Sequence, residues 1–349
     1  MAEIVLGMGT SHGPMLSMPP EMWLEFGADD KDRENLVAPW DGSNVSYEDL
    51  LEHADPTLPH RLTLDNFKEQ AATAQNAIKL LNKTLAEVKP DTVVLIGNDQ
   101  QELFFDDMMP SLAVYWGETI PLRARKLPDS APAYRKAAAW GNGDVDLDVP
   151  VNAELAKHLI DTFIDDGFDV AHFRYVREKY GGRIGPAGYY QEPTEHSARP
   201  QGLPHGPAWV IKRLMDNRPY PVVPIFQNTF YPPNQPTVKR CYAFGRALRS
   251  AIESWDADMR VAVIASGGFS HFVIDEEIDD WAHKALRERD PELLCSMPEW
   301  KLQMGTSEIK NWVTAAGAME QLDYQFVART PGYRSPAGTG HADAFAIWQ

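Results

Sequence analysis

Three histidines stand at the ends of apolar segments, where side chains can share a cavity. His12 follows the run AEIVLGM, His271 follows VAVIASGGFS, and His205 precedes AWVI. A neutral imidazole can move a proton near pH 7 and can also bind a transition metal. We therefore take these residues as candidates for acid–base catalysis or metal binding. A lone histidine is more often hydrogen-bonded in a loop, and only their combination favours function.

A carboxylate, Glu308, follows a Gly-Thr-Ser turn and precedes the apolar stretch WVTAAGAM. Its structural interpretation is an acidic residue in the first turn of a helix, stabilised by the helix dipole. Its functional interpretation is a metal ligand, because two histidines and one carboxylate form the facial triad of non-haem Fe(II) sites. Sequence spacing alone does not distinguish a metal ligand from a proton shuttle.

The segment 260–272, RVAVIASGGFSHF, places His271 in its structural setting. A short apolar run bounded by glycine predicts a buried strand, and Gly267 and Gly268 allow a turn that other residues resist. His271 then lies just beyond the carboxyl end of a strand. Ligands of open α/β sheets bind at that edge, so we expect the site there.

Other segments supply the elements of an α/β sheet. Leu64–Val88 has apolar residues at helical spacing, and 92–96, TVVLI, follows as a buried strand. The segment 220–226 predicts a further strand, and 238–255 an amphipathic helix before the strand that leads to His271. The sequence therefore predicts one α/β domain with a central mixed β-sheet flanked by helices and an active site at the strand carboxyl ends.

We expect this single catalytic domain to span residues 1–349 of the 349-residue chain, with an inserted excursion at about 17–75. The formal net charge of −17 argues against nucleic acid or an anionic membrane as a partner. Cys241 and Cys295 are too few for a disulfide framework or zinc ribbon. No apolar run reaches membrane-spanning length, and no leader pattern opens the chain, so we expect a cytoplasmic protein.

Motifs over most of the chain resemble the class III extradiol ring-cleavage dioxygenases, in particular the catalytic β subunit of protocatechuate 4,5-dioxygenase and the gallate and 3-O-methylgallate dioxygenases. The resemblance covers residues 1–16 and about 90–349. The motifs, in family order, are GTSHGP at 9–14, PDTVVLIGND at 90–99, NTFYPPNQPT at 228–237, VAVIASGGFSH at 261–271 and GTSEIKNWVTAAGAM at 305–319.

The resemblance implies a role for each matching residue. His12 falls on the first iron histidine of the family, and Glu308 on its iron carboxylate. His271 falls on the catalytic base, and His205 on the second active-site histidine, which contacts substrate oxygens. The family's second iron histidine directly follows an Asn-Asp pair, where this chain has Gln100.

Several residues could replace that missing ligand. Gln100 could offer its amide oxygen, Asp99 or Glu102 could turn inward, and His53 or His60 could reach in from the excursion. Alternatively, iron binding is lost and the chain has another activity.

If the family reaction holds, the substrates are O2 and a catecholic or methoxylated phenolic, gallate-like acid, and the metal is Fe(II), with Mn or Zn as alternatives. Arg334 is our candidate for binding a substrate carboxylate, since a guanidinium pairs a carboxylate bidentately. Tyr231 and Phe269 are candidate aromatic walls of the pocket. Ring opening would give a muconate-type semialdehyde, or a lactone if a methoxy group leaves.

Two other functions remain open at this stage. A non-oxidative metal-dependent hydrolase or lyase on the same scaffold would use Zn(II) or Mn(II), and the change at Gln100 favours it somewhat. A non-catalytic partner subunit would be expected to lose His271 or Glu308, and this chain has both. No segment resembles the small α subunit of the protocatechuate enzyme, so we expect a homodimer whose lid comes from residues 17–75.

Overall fold

The computed structural model describes residues 1–177 and 201–349, together with two short strands at Arg183–Ile184 and Tyr190–Gln191. In chain order its strands are β1 (Glu3–Thr10), β2 (Leu36–Val37), β3 (Asn44–Val45), β4 (Thr92–Asn98), β5 (Leu112–Tyr115), β6 (Thr119–Leu122), β7 (Leu147–Pro150), β8 (Ala171–Phe173), β9 (Arg183–Ile184), β10 (Tyr190–Gln191), β11 (Val222–Gln227), β12 (Arg260–Ser266), β13 (His271–Val273), β14 (Tyr324–Thr330), β15 (Thr339–His341) and β16 (Asp343–Trp348).

The α-helices of the described ranges surround these strands. They are α1 (Trp23–Ala28), α2 (Tyr47–His53), α3 (Leu64–Val88), α4 (Ala133–Gly141), α5 (Ala153–Asp165), α6 (His205–Leu214), α7 (Val238–Ser254), α8 (Glu276–Glu288), α9 (Pro291–Cys295) and α10 (Ile309–Ala318). The predicted helix over Leu64–Val88 is confirmed with the same bounds. Within the described ranges, no helix is both long enough and apolar enough to cross a bilayer.

The central sheet joins eight strands of the described chain in the order β14-β16-β1-β12-β4-β11-β5-β8. The neighbours β1, β12, β4 and β11 run parallel to one another. The pairs β1/β16, β14/β16 and β11/β5 are antiparallel. The predicted central mixed sheet flanked by helices is therefore confirmed.

Strand β12 shows why the sheet needs a helical layer on each face. Val261, Val263 and Ala265 belong to the core on one face, with residues of α5, α7, α8 and α10. Ala262 and Ile264 belong to the core on the other face, with residues of α3 and α6. Because successive side chains of a strand point to opposite faces, an uninterrupted apolar strand is stable only between two apolar layers.

The first part of the predicted excursion packs against β13, the short strand that carries His271 and pairs with β15. Its residues Leu36, Tyr47 and Leu50 form a small core with Val273 and Ala337. A capping box at Ser46 and Asp49 begins α2. The end of the excursion is the start of α3, which packs into the main core.

Candidate active site

Several chain segments meet at one edge of the sheet because of strand direction. Thr10 is paired with Ser266, and Ile96 with Ala265, so the parallel strands β1, β12 and β4 end side by side. Strand β16 is antiparallel to β1, with Phe345 opposite Thr10, so its amino end lies at the same edge. The loops that follow β1, β4 and β12 therefore converge with the loop that precedes β16. The sequence predicted this convergence for the loops after β1, β4 and β12.

Glu308 is the centre of this cluster. It is fully buried at the end of a 3-10 helix, Met304–Glu308, that leads into α10. Oε1 lies 3.6 Å from Nε2 of His12, and Oε2 lies 3.6 Å from Nε2 of His271. The backbone N–H of Gly268 donates to Oε2 at 2.8 Å, and Nε2 of Gln100 donates to Oε1 at 3.0 Å. One carboxylate thus connects two of the three histidines predicted for the site, His12 and His271.

The hydrogen bonds of His12 determine its tautomer. Nδ1 lies 3.0 Å from Oγ of Ser266, and that hydroxyl donates its proton to the carbonyl of Gly206 at 3.0 Å. Because the hydroxyl proton is used, Nδ1 of His12 must be the donor to Oγ. Nε2 of His12 therefore carries a free lone pair on the side of Glu308.

His271 has the same tautomer for a simpler reason. Its Nδ1 lies 2.7 Å from the carbonyl oxygen of Phe269, which can only accept a hydrogen bond. Nδ1 is therefore protonated, and Nε2 is the free nitrogen facing Glu308. A histidine whose second nitrogen is fixed in this way is prepared either to bind a metal or to accept a proton.

Burial sets the charges of these groups. Burial lowers the pKa of His12 to about 4, against the opposing attraction of Glu308. Burial, followed by the charge of His341, lowers the pKa of His271 to about 3. For Glu308, burial alone would raise the pKa, but His12, His271 and the Gly268 N–H lower it to about 2. At neutral pH Glu308 is therefore ionised and His12 and His271 are neutral, which is the protonation state that a divalent metal requires of such ligands.

His205 is the first residue of α6, and the structure brings it into the same cluster. Its ring lies 4.9 Å from the ring of His12, at an interplanar angle of 77°. Its Nδ1 contacts Oε1 of Glu102, which also accepts the backbone N–H of His205 at 3.1 Å. The other oxygen of Glu102 pairs with Arg125. The predicted second active-site histidine is therefore next to Glu308 and is oriented by a carboxylate.

A further histidine of the site, His341, was not among the residues selected from the sequence. Strand β15 pairs with β13 so that His341 lies opposite His271, and the two rings stack with centroids 4.2 Å apart and planes 25° apart. Its Nδ1 is 2.9 Å from Oδ1 of Asp343, although these two buried atoms are not aligned for a hydrogen bond. Its position just before the last apolar run, like that of His12 just after the first, was the sequence signal that could have identified it.

The residues proposed to replace the missing family histidine make different contacts in the structure. The side-chain nitrogen of Gln100 contacts Glu308. Asp99 accepts backbone N–H groups of Glu102, Leu103 and Phe104 and so stabilises its own loop. Burial, followed by the nearby Glu102, raises the pKa of Asp99 to about 7.

The two histidines of the excursion are on the surface, whereas Glu308 is fully buried. His53 stacks on Trp40 at 4.5 Å and bonds the carbonyl of Asp49. His60 belongs to the 3-10 helix Leu58–Arg61. The structure does not bring either residue to the site, because both side chains lie on the surface.

The structure gives Arg334 a different environment from the one we expected. Its guanidinium makes a bidentate ion pair with Asp30 at 2.7 and 2.8 Å, lies 4.3 Å from the centre of the Phe26 ring and is only 2% exposed. Thr339 donates a further hydrogen bond to Asp30 at 2.6 Å. The guanidinium joins the excursion to the C-terminal region, so its bidentate face is not available to a substrate carboxylate.

The two proposed aromatic walls are both buried. Phe269 packs edge-on against Trp312 with ring centres 5.2 Å apart, and its carbonyl is the partner of His271. Tyr231 packs against Phe230 at 4.8 Å, in the proline-containing loop after β11. Phe269 therefore touches the site through its backbone.

The donor set fits a divalent transition metal. In each of two groups, His12–His205–Glu308 and His271–Glu308–His341, one ligand atom per residue lies within 4.8 Å of the others. Imidazole nitrogens and carboxylate oxygens are ligands for Fe, Mn and Zn. The site can therefore offer two histidines and one carboxylate although Gln100 occupies the position of the family histidine.

Comparison with known proteins identifies the family of the chain. Residues 56–344 match the family described as the catalytic LigB subunit of aromatic ring-opening dioxygenase, and the chain belongs to this family. The resemblance to class III extradiol dioxygenases is thus confirmed at the level of the family.

Among its relatives, the chain is 28% identical over 204 residues to gallate dioxygenase of Pseudomonas putida, covering 55% of this chain and 52% of that protein. It is 26% identical over 219 residues to 2,3-dihydroxyphenylpropionate/2,3-dihydroxicinnamic acid 1,2-dioxygenase of Comamonas testosteroni, covering 61% and 53%. The protein of the same name from Rhodococcus globerulus is 24% identical over 232 residues, covering 65% and 55%. The chain spans about half the length of the curated relatives it matches.

An uncharacterized protein of Escherichia coli K12 has a solved structure that aligns over 98% of both chains, with 12% identity and a TM-score of 0.45.

Proposed function

We propose that the protein is a metal-dependent extradiol dioxygenase that uses O2 to open the ring of a catecholic or methoxylated phenolic acid. The observation that carries this proposal is the buried, ionised Glu308, with a free imidazole Nε2 3.6 Å from each of its oxygens. Family membership supports the reaction class, and the relative named gallate dioxygenase supports the substrate class.

His12 and Glu308 are the residues that would hold the metal. Their donor atoms are pre-oriented, because Ser266 fixes the ring of His12 and Gly268 fixes the carboxylate. We propose Fe(II) as the metal, with Mn(II) as an alternative. When bound, such an ion supplies the redox chemistry that brings O2 and an aromatic ring to reaction.

His271 is the proposed general base. Its Nδ1–H is held by the Phe269 carbonyl, so Nε2 is the nitrogen that can accept a phenolic proton from the substrate. The imidazolium formed in this way is stabilised by the carboxylate of Glu308 at 3.6 Å. Burial lowers the pKa of His271 to about 3, so the ring is neutral and its Nε2 lone pair is available before the substrate arrives.

The first part of the excursion shields the His271 side of the site. Val37, Ala38 and Asn35 line a cavity of about 20 Å³ together with His271 and Met304. Such a space is of the order of one water molecule, so this side of the site is nearly closed to solvent. We therefore propose that residues 17–75 provide the cover that a separate small subunit would otherwise supply. The homodimer predicted from the sequence stays a prediction.

A second candidate function rests on one observation, which is Gln100 in place of a histidine. An amide is a weaker ligand than imidazole, and a non-oxidative hydrolase or lyase that uses Zn(II) would tolerate this change. The non-catalytic subunit is disfavoured, because His12, His205, His271 and Glu308 are all retained and clustered.

The test is metal analysis combined with oxygen uptake. The protein is purified anaerobically, its Fe, Mn and Zn contents are measured, and gallate, 3-O-methylgallate and protocatechuate are added in an oxygen electrode. Stoichiometric iron with substrate-dependent uptake is the expected result. No uptake after Fe(II) is supplied, with zinc retained, would make the hydrolase or lyase the leading function.

A further inference from the structure

The loop after β4 raises the question of which residue completes the metal site. Gln100 lies at the position of the family histidine, and it presents its N–H to Oε1 of Glu308 at 3.0 Å. A group that donates a hydrogen bond to a metal ligand stabilises that ligand but does not itself coordinate the metal. The third protein ligand must therefore come from another part of the chain.

His205 has the position and orientation that this role requires. One of its ring nitrogens lies within 4.8 Å of ligand atoms of both His12 and Glu308. Nδ1 donates to the carboxylate of Glu102, which leaves Nε2 with a free lone pair. A histidine held between a carboxylate and a metal is a recurrent arrangement in metalloproteins, because the carboxylate fixes the tautomer and increases the basicity of the ligand.

Ring orientation favours His12 and His205 over His271 and His341 as the two histidines that bind one metal ion. A metal bound by an imidazole lies in the plane of that ring, along the nitrogen lone pair, so two ligand rings must have planes that meet at the ion. The planes of His12 and His205 cross at 77°. Those of His271 and His341 are within 25° of parallel, and the rings are stacked. Stacked rings direct their lone pairs side by side, which favours one metal between His12, His205 and Glu308.

We propose that His205, and not Gln100, is the third protein ligand of the metal in this chain, and that Glu102 positions it. This inference rests on the proposed function to the extent that the site holds a metal. The same loop that carries Gln100 supplies Glu102 two residues later, and Arg125 holds the other oxygen of that carboxylate. The third ligand thus comes from the start of α6 and not from the loop after β4. That loop instead supplies Glu102, which positions the ligand.

The experiment compares metal affinity among variants of the full chain. Apo protein is titrated with Co(II), and visible absorption reports both affinity and ligand geometry. We expect His205→Ala to weaken Co(II) binding by more than about 100-fold and to change the spectrum, and Glu102→Gln to weaken it by about 10-fold. Gln100→Ala removes only a hydrogen bond to Glu308, so it should weaken Co(II) binding by about 10-fold and keep the wild-type spectrum. His341→Ala should keep both the affinity and the spectrum of wild type. His53→Asn is the matched control, because it removes an exposed imidazole of the same chain.

Two additional measurements distinguish loss of a ligand from loss of folding. The apo forms of His205→Ala and wild type should give the same circular dichroism, whereas Co(II) should raise the Tm of wild type alone, since a ligand stabilises only the protein that binds it. Gln100→His in the His205→Ala background should restore Co(II) binding, because it returns an imidazole to the family position.

The outcomes separate this inference from the proposed function. Wild-type affinity and spectrum in His205→Ala, with loss of binding in Gln100→Ala, would overturn the assignment of His205 and leave the dioxygenase proposal intact. Loss of binding in His341→Ala but not in His205→Ala would move the metal to the other group of ligands and also overturn it. A wild-type protein that binds none of Fe(II), Mn(II), Zn(II) or Co(II) would overturn both.

Discussion

Nε2 of His271 and Oε2 of Glu308 lie 3.6 Å apart. The other ring nitrogen of His271 and the other carboxylate oxygen of Glu308 are each held by a hydrogen bond. The Phe269 carbonyl holds the histidine, and the Gln100 amide holds the carboxylate. The pair is therefore fixed before any substrate binds, and its two members can be tested separately.

Replacing His271 by alanine should abolish turnover and leave the metal in place. The reason is that His271 is the proposed base, whereas the proposed ligands are His12, His205 and Glu308. We expect a loss of kcat of about 100-fold or more, the range that general base catalysis contributes. The measurement is oxygen uptake together with metal content in one preparation. A parallel loss of metal would identify His271 as a ligand instead.

Replacing Glu308 by glutamine should empty the metal site. The carboxylate provides the negative charge of the ligand set, and both groups of candidate ligands contain it. Metal content of the purified variant is the direct measurement, with Glu288→Gln, at an exposed glutamate, as the control. A Glu308→Gln protein that is fully metallated and active would remove Glu308 from the site.

Replacing His341 by alanine should change the pH dependence of catalysis more than its metal content. After burial, the charge of His341 is the next cause of the low pKa of His271. Its removal should raise the pKa of His271, so the acid limb of the kcat/KM profile should shift to higher pH. The stacking partner is lost as well, so kcat at the optimum should also fall. An unchanged profile would show that His341 is only a packing residue.

The sequence predicted the frame of the site because the relevant patterns are local. Apolar runs ending in polar or glycine residues marked β1, β4 and β12, and parallel pairing then brought His12, Gln100 and the loop before His271 to one edge. The helix Leu64–Val88 was predictable because its apolar residues recur at helical spacing over many turns.

The residues that were missed depend on contacts between distant parts of the chain. His341 reaches His271 through the antiparallel pairing of β13 and β15, whose register no local pattern reveals. We expected Arg334 to bind a substrate because no local pattern indicates its true partner. That partner is Asp30, which lies 304 positions earlier in the chain. The role of Glu102 likewise becomes visible only when α6 begins beside it.

The buried pair of Asp30 and Arg334 yields a prediction about stability and pH. Burial alone would raise the pKa of Asp30, but the charge and hydrogen bonds of Arg334 hold it below its usual value. A carboxyl whose folded pKa is lowered stabilises the protein above its unfolded pKa, and this contribution is lost as pH falls through the folded pKa. Asp30→Asn should therefore destabilise the protein by about 3–5 kcal/mol at pH 7, the cost of breaking a buried ion pair.

Denaturant unfolding at several pH values measures this contribution. The difference between wild type and Asp30→Asn should be constant from pH 7 to the unfolded pKa of about 3.9 and should shrink below it. Arg33 also pairs with Asp30 at 2.7 Å, so the triple variant Asp30→Leu, Arg33→Leu and Arg334→Met should recover most of the lost stability, since apolar side chains can replace buried ion pairs. In that variant KM for an aromatic acid should equal the wild-type value. A large rise in KM would restore Arg334 as a substrate-binding residue.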